Sequence, residues 1–162
     1  MFQTDFTRID TEAGSVYLVS FIDHKSKIVA GYDISESADT NAVLRAYERL
    51  KSFLQEQGVS IPGIIIHSDR GSPFTSYEYV SALVSDDVTP SYSDKGKPGD
   101  NSGKESFFGR LKKEQGQIFA SAGSIQELIE LVAESLRYYN YDRIHSRTNG
   151  RSPMDNLPAI FV

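Results

Sequence analysis

The chain of 162 residues contains no cysteine. Disulfides, thiolate metal sites and cysteine nucleophiles are thereby excluded. Histidine is scarce, at three residues, so any metal must rest on carboxylates or on those few imidazoles. Long apolar runs are missing as well. Stretches such as Val16-Tyr17-Leu18-Val19 and Ile64-Ile65-Ile66 fall far short of the ~20 residues a membrane-spanning helix needs. The first residues carry neither a basic region nor an apolar one, so no signal peptide is visible and a cytoplasmic protein is expected, with no membrane partner. There is no excess of positive charge. Seventeen Lys and Arg stand against 22 Asp and Glu, a net charge of −5, and the pI is about 5.2. Taken globally, that argues against a nucleic-acid partner. The remaining composition, 39% hydrophobic and 24% charged, is that of one ordinary globular domain over residues 1–162.

The charge is not evenly spread. Residues 1–60 hold six basic and nine acidic side chains, and residues 61–94 hold one and five. Residues 95–113 reverse the balance, with six basic and two acidic, a local +4. In residues 114–162 the four basic residues all fall between Arg137 and Arg151. A charge cluster alone is more often a solvated face than a binding strip, so the motifs must decide.

Apolar periodicity orders the elements. Gln3–Ile9, Val16–Ile22 and Ile28–Ile34 read as strands joined by short polar turns, an antiparallel meander. Asp39 or Thr40 caps a helix whose apolar positions Val43, Leu44, Tyr47, Leu50 and Leu54 follow the helical period, with Gly58 just beyond its end. Gly63–His67 reads as a buried strand, Ser76 opens a helix to about Val84, and Val88–Ser93 is a fifth strand. A loop over Lys95–Gly103 leads to an amphipathic helix at Lys104–Gln115. Ser124 and Glu127 then form a capping box before a last helix. The order βββαβαβαα predicts an α/β fold: a mixed five-stranded sheet, three strands antiparallel and two parallel, with helices on both faces.

Three carboxylates stand out. Asp69 follows directly after the buried strand, where α/β sheets build sites. Asp5 lies inside a strand, where aspartate is disfavoured without a reason such as a metal. Glu105 opens a helix behind a glycine-rich loop, a place where the helix dipole alone favours a carboxylate. Singly, each is more often structural than functional. Together, their contexts are T-D-F-T, I-I-I-H-S-D-R-G-S-P-F-T-S and D-N-S-G-K-E-S-F-F-G-R-L-K-K-E, with 35 residues between Asp69 and Glu105.

With these motifs the chain resembles the catalytic core of insertion-sequence transposases in the retroviral-integrase superfamily, whose acidic triad is D,D(35)E. The tail from Tyr138-Tyr139-Asn140-Tyr141-Asp142-Arg143-Ile144-His145 to Asn149-Gly150-Arg151-Ser152-Pro153 is similar to the end of the same cores. Three departures mark this chain. Gly99 stands where the family usually has tryptophan before the Asp-Asn pair, Arg70 where Gln or Asn is common, and Lys104 where a small or apolar residue usually precedes the glutamate.

The resemblance implies an RNase H-like fold and a bacterial enzyme, a polynucleotidyl transferase that cleaves a DNA 3′ end and joins it to a target. Its implied catalytic and metal-holding residues are Asp5, Asp69 and Glu105. Two Mg²⁺ ions, replaceable by Mn²⁺, would be the cofactors, because hard cations take oxygen ligands and phosphoryl transfer is mostly positioning and charge stabilisation. Its implied partners are DNA, both element ends and target, and further copies of the chain in the active complex. An upstream helix-turn-helix region belongs to such transposases and is not among these residues.

Lys112 is two helical turns after Glu105 and shares its face, so it is expected on a DNA phosphate, with Lys104, Arg110, Lys113 and Arg143 as further candidates. Phe107, Phe108 and Leu111 read as the buried side of that helix. His67 reads as a strand-end residue that orders the turn, and His145 as part of a tail cluster or a DNA contact. The alternative is an inactive or repurposed copy that only binds DNA or assists assembly.

Overall fold

The computed structural model describes residues 1–94 and 102–157, without the side chains of residues 102–106 and 147. Five strands form one sheet in the order β3-β2-β1-β4-β5. They are β1 (Phe2–Thr11), β2 (Gly14–Asp23), β3 (Val29–Ser35), β4 (Ile65–Ser68) and β5 (Thr89–Tyr92). The β1–β2 and β2–β3 pairs are antiparallel, and β1–β4 and β4–β5 are parallel. This is the mixed sheet expected from the element order.

The helices are α1 (Thr40–Glu56), α2 (Ser72–Thr75), α3 (Tyr77–Ser85), α4 (Ser102–Ala120) and α5 (Ile125–Tyr141). Their starts follow the capping chemistry. Asp39 accepts from the Ala42 amide, Ser76 from Tyr79 and Ser124 from Glu127. In the last case the Glu127 carboxylate reaches back to the Gly123 amide at 2.7 Å, one residue before the cap.

Helices cover both faces of the sheet because strand alternation supplies apolar side chains to both. Phe2, Val19 and Phe21 pack with Ala42, Val43, Tyr47, Leu50 and Leu54 of α1. On the opposite face Ile9, Val16, Leu18 and Ile22 pack with Phe107, Phe108 and Leu111 of α4 and with Leu128, Val132 and Leu136 of α5. The continuous apolar run of β2 reflects this double burial. Phe107, Phe108 and Leu111 are buried, as their spacing predicts.

Two details depart from the sequence reading. Ser72–Thr75, which the apolar periodicity does not mark, is a one-turn helix, with a proline in its first turn and Phe74 buried beneath it. Helix α4 runs to Ala120, past Gly116. A glycine inside a helix costs only about 1 kcal/mol, and burial of Phe119 at its far end offsets that.

α1 lies close on β3 at Gly31. A Cβ there would stand 2.6 Å from the Ala46 carbonyl oxygen and 2.7 Å from the Leu50 amide nitrogen. Both are backbone atoms and cannot swing aside. Gly31→Ala is therefore expected to lower stability by about 1–3 kcal/mol, the usual cost of overpacking, read as a shifted urea midpoint at unchanged slope.

Candidate active site

The site begins with strand pairing. Phe2 is registered with Ile66 and Gln3 with His67 across the parallel pair β1–β4. Two residues further along in each case come Asp5 and Asp69. Asp69 lies one residue past the end of β4, and the register and alternation carried on from Gln3 and His67 put both on one side of the sheet. That side is the one bearing Ile9 and covered by α4 and α5. Both carboxylates are half-buried.

Each accepts a local backbone hydrogen bond. The Phe6 amide donates to Asp5 Oδ1 at 2.8 Å. The Gly71 amide donates to Asp69 Oδ1 at 2.7 Å, a turn that carries the chain into α2. The buried Ser68 hydroxyl donates to the Asp69 carbonyl at 2.9 Å and anchors the same corner.

The third carboxylate belongs to α4, which packs against β1. The backbone of Lys104 and Glu105 is helical, and their side chains lie outside the described residues. Phe107 and Phe108, the next residues but one and two, are buried on the Asp5 side of the sheet. This brings the start of α4 to the same face as the aspartate pair. The loop with Gly99 lies outside the described residues. Among the described residues no cluster of three metal-ligating side chains is present. Paired hard oxygen donors at a strand end nevertheless fit a divalent cation such as Mg²⁺, which uses one or two carboxylates and keeps several waters.

The cations expected at DNA divide into two groups. Arg110, Lys112 and Lys113 are exposed on α4. Lys112 lies near enough to the β1–β2 hairpin to help hold the Asp10 carboxyl below its ordinary range, after hydrogen bonds from Ser15 and Arg8. Arg143, by contrast, is turned inward. Its Nε and Nη2 donate to Glu114 at 2.8 and 2.6 Å, and Nη1 lies against the His145 ring. A planar fork already engaged by a carboxylate has few donors left for phosphate. Arg143 thus binds α4 to the tail rather than projecting toward a ligand. Glu114, unnoticed in sequence, is held below the usual carboxylate range by that guanidinium.

The rest of the tail is a fastening. Asn140 accepts from the Val29 amide and donates to the Val29 carbonyl, both at 2.9 Å, as a neighbouring strand would. The Tyr139 hydroxyl donates to the Lys27 carbonyl at 3.0 Å. Tyr139 also meets Phe107 and His145 edge-on, with ring centroids 4.8 and 4.9 Å apart. His145 is buried, which settles it inside this cluster. His67 stitches β4 to the β5 side, with its ring nitrogens 2.9 and 3.0 Å from the Ser91 and Ser93 hydroxyls. Arg70, beside Asp69, lies over the Tyr92 ring with Cζ 5.7 Å from its centroid.

Two outcomes are expected. Burial, then the nearby Arg143 and Arg110 charges, push His145 down to about 4. Its unfolded value is near 6.5. Between those values the unfolded chain binds the extra proton, so stability rises with pH. Wild type should lose on the order of 1–2 kcal/mol more than His145→Gln between pH 7 and pH 5 in denaturant titrations. At the other end of the sheet, a Cβ on Gly71 would stand 2.9 Å from Asp69 Oδ1. Gly71→Ala should therefore displace this carboxylate at little cost in folding, below about 1 kcal/mol. A crystal structure of the variant and its denaturation midpoint check the two halves of that statement.

Comparison with known proteins bears on the family and the fold. The profile of the integrase core domain family matches residues 1–98, and a second integrase core domain profile matches residues 86–153. The transposase for insertion sequence element IS904 of Lactococcus lactis is 35% identical over 156 residues, which cover 93% of this chain and 58% of that protein. The probable transposase for IS1353 of Shigella flexneri is 32% identical over 162 residues, covering 97% of this chain and 30% of its own length. The chain thus spans only part of the length of these relatives. The structure of the HTLV-2 integrase catalytic core domain in complex with magnesium, in its trimeric form, superposes with a TM-score of 0.71. Identity there is 15%, over 95% of this chain and 93% of that one, so it speaks for the RNase H-like fold. On the profile match, the insertion-sequence relatives and the shared sheet topology, the chain belongs to the integrase core domain family.

Proposed function

We propose that this chain is the catalytic core of an insertion-sequence transposase, which cleaves a DNA strand to free a 3′-OH and joins that end to target DNA. The observation that carries the reading is the β1–β4 register, which, carried on from Gln3 and His67, puts Asp5 and Asp69 on the sheet face covered by the helix of Glu105. Transposase names among the relatives support it. So does the magnesium bound by the HTLV-2 integrase core.

In this reading Asp5, Asp69 and Glu105 would together hold the divalent ions. Bound ions of this kind supply activation of the attacking oxygen and stabilisation of the leaving oxygen in an in-line displacement. The protein contributes position. In cleavage a water oxygen attacks the phosphorus, the P–O3′ bond breaks, and the released O3′ takes a proton. In joining, that 3′-OH attacks a target phosphorus and displaces the target's own O3′. No side chain forms a covalent intermediate. Lys112, Lys113, Arg110 and Lys104, all on the helix of Glu105, would be the candidates for binding DNA phosphates. Two element ends must be joined in concert, so the active complex contains more than one copy.

The experiment is cleavage and strand transfer on labelled element-end duplexes, using the protein together with its end-recognition region. Activity is expected with Mg²⁺ or Mn²⁺ and not with EDTA. Asp5→Asn, Asp69→Asn and Glu105→Gln should each reduce it at least 100-fold while leaving the denaturation midpoint near wild type. Retention of metal-dependent activity in any of the three would remove that residue from the site. Absence of metal-dependent activity in the wild-type protein would favour a non-catalytic DNA-binding module.

A further inference from the structure

Every inward-facing position on the middle of β2 is apolar except one. Val16, Leu18 and Ile22 face the α4–α5 layer. Ser20 stands between them on the same side, 1% exposed. Its hydroxyl has no hydrogen-bond partner among the described residues. Buried hydroxyls are nearly always satisfied, and an orphan needs a reason. A hydroxyl in this setting weakens the fold unless something else employs it.

The register supplies a reason. Ser20 is the direct cross-strand partner of Asp5. Paired residues emerge from the same face with Cβ atoms roughly 4.5–5.5 Å apart. In this structure Asp5 Oδ1 is turned to the Phe6 amide. Rotation about side-chain bonds, with no change in backbone pairing, is the adjustment that can carry the hydroxyl toward the carboxylate. Ligating carboxylates are themselves usually hydrogen-bonded by an outer group that orients them. No other polar side chain of β2 is paired with Asp5.

We propose that Ser20 is a positioning residue: its hydroxyl donates to the Asp5 carboxylate when that group holds a divalent cation, and fixes the rotamer in which it does so. This rests on the reading of Asp5 as a metal ligand. It adds to that reading a residue outside the acidic motifs and a division of labour at Asp5, with one side held by the chain and the other offered to metal.

The orphan hydroxyl makes the test unusually clean, because the fold and the site should respond in opposite directions. Mn²⁺ binding to the purified chain is measured by electron paramagnetic resonance, with the metal alone as probe, for wild type, Ser20→Ala, Ser20→Thr and Asp5→Asn. Loss of an unpartnered hydroxyl should leave the Ser20→Ala denaturation midpoint unchanged or raised. Its Kd for Mn²⁺ should nevertheless rise roughly 10-fold, as outer-group losses typically do. Ser20→Thr, which keeps the hydroxyl, should stay within about threefold of wild type by the same scale. In cleavage assays the Ser20→Ala defect should shrink at high metal concentration. Wild-type Mn²⁺ affinity in a well-folded Ser20→Ala protein overturns the assignment of Ser20 and leaves the triad intact. Should Ser20→Ala prove unstable, equal weakening of Mn²⁺ binding in Ser20→Thr and Ser20→Ala overturns it too, since the hydroxyl would then not matter. Wild-type binding unaffected by Asp5→Asn overturns both the assignment of Ser20 and the metal role of Asp5.

Discussion

The parallel pairing of β1 with β4 is the constraint on which the rest depends. It is short, with two registered residue pairs, Phe2 with Ile66 and Gln3 with His67. Yet β1 is the central strand, and this pair joins the antiparallel half of the sheet to the parallel half. A slip of one residue would turn every side chain of β4 to the other face. Ile66 would leave the layer it shares with Phe2 and Tyr47, and Asp69 would leave the side of Asp5. Burial of Ile66 and alignment of the two carboxylates are therefore one choice of register. The apolar core enforces it, and the charged pair, which repels itself when no cation is present, is carried along. His67 adds a second lock through Ser91 and Ser93, tying β4 to the β5 side at the level just below Asp69.

The acidic composition then divides by what each carboxylate touches. Asp33 is buried on β3 but lies against Arg45 at 2.8 Å and Arg49 at 3.4 Å. Asp23 is buried at the end of β2, where its Oδ2 accepts from the Lys25 and Ser26 amides. Both are strand aspartates with complete structural explanations. Asp5 differs in kind. A second carboxylate lies on the same side just past β4, and the residue opposite Asp5 on β2 is an orphan hydroxyl. Two carboxylates brought together in this way repel each other when both are charged, and a divalent cation or a shared proton relieves that repulsion.

Much of this was legible in the sequence, for physical reasons. Strand alternation, helical periods and the capping residues Asp39, Ser76 and Ser124 are local signals, and the elements and their order follow from them. The aspartate pair stood out through the family resemblance that its motifs carry. What escaped reading depends on contacts far apart in the chain. Asn140 imitates a strand edge for Val29, 111 residues away. Glu114 meets Arg143 across 29 residues, and with that pairing a cation that looked available for DNA becomes internal. Ser20 is invisible in sequence, since a serine within an apolar strand is unremarkable until its register partner is known.

The inward turn of Arg143 also reshapes the charge argument. The basic residues near the C-terminal end looked like an extension of the strip at 95–113. Within the described side chains, Arg143 is engaged with Glu114, and Arg137 pairs with Glu134 at 2.8 Å. Arg110, Lys112 and Lys113 remain as exposed cations along α4. A net charge of −5 opposes long-range attraction to DNA, and a few cations on one helix cannot reverse its sign at a distance. They act within about one Debye length, ~8 Å at physiological ionic strength. Attraction confined to that range begins only once a duplex already lies against α4. In the proposed function these cations would act on how DNA is seated over the carboxylates rather than on whether it arrives.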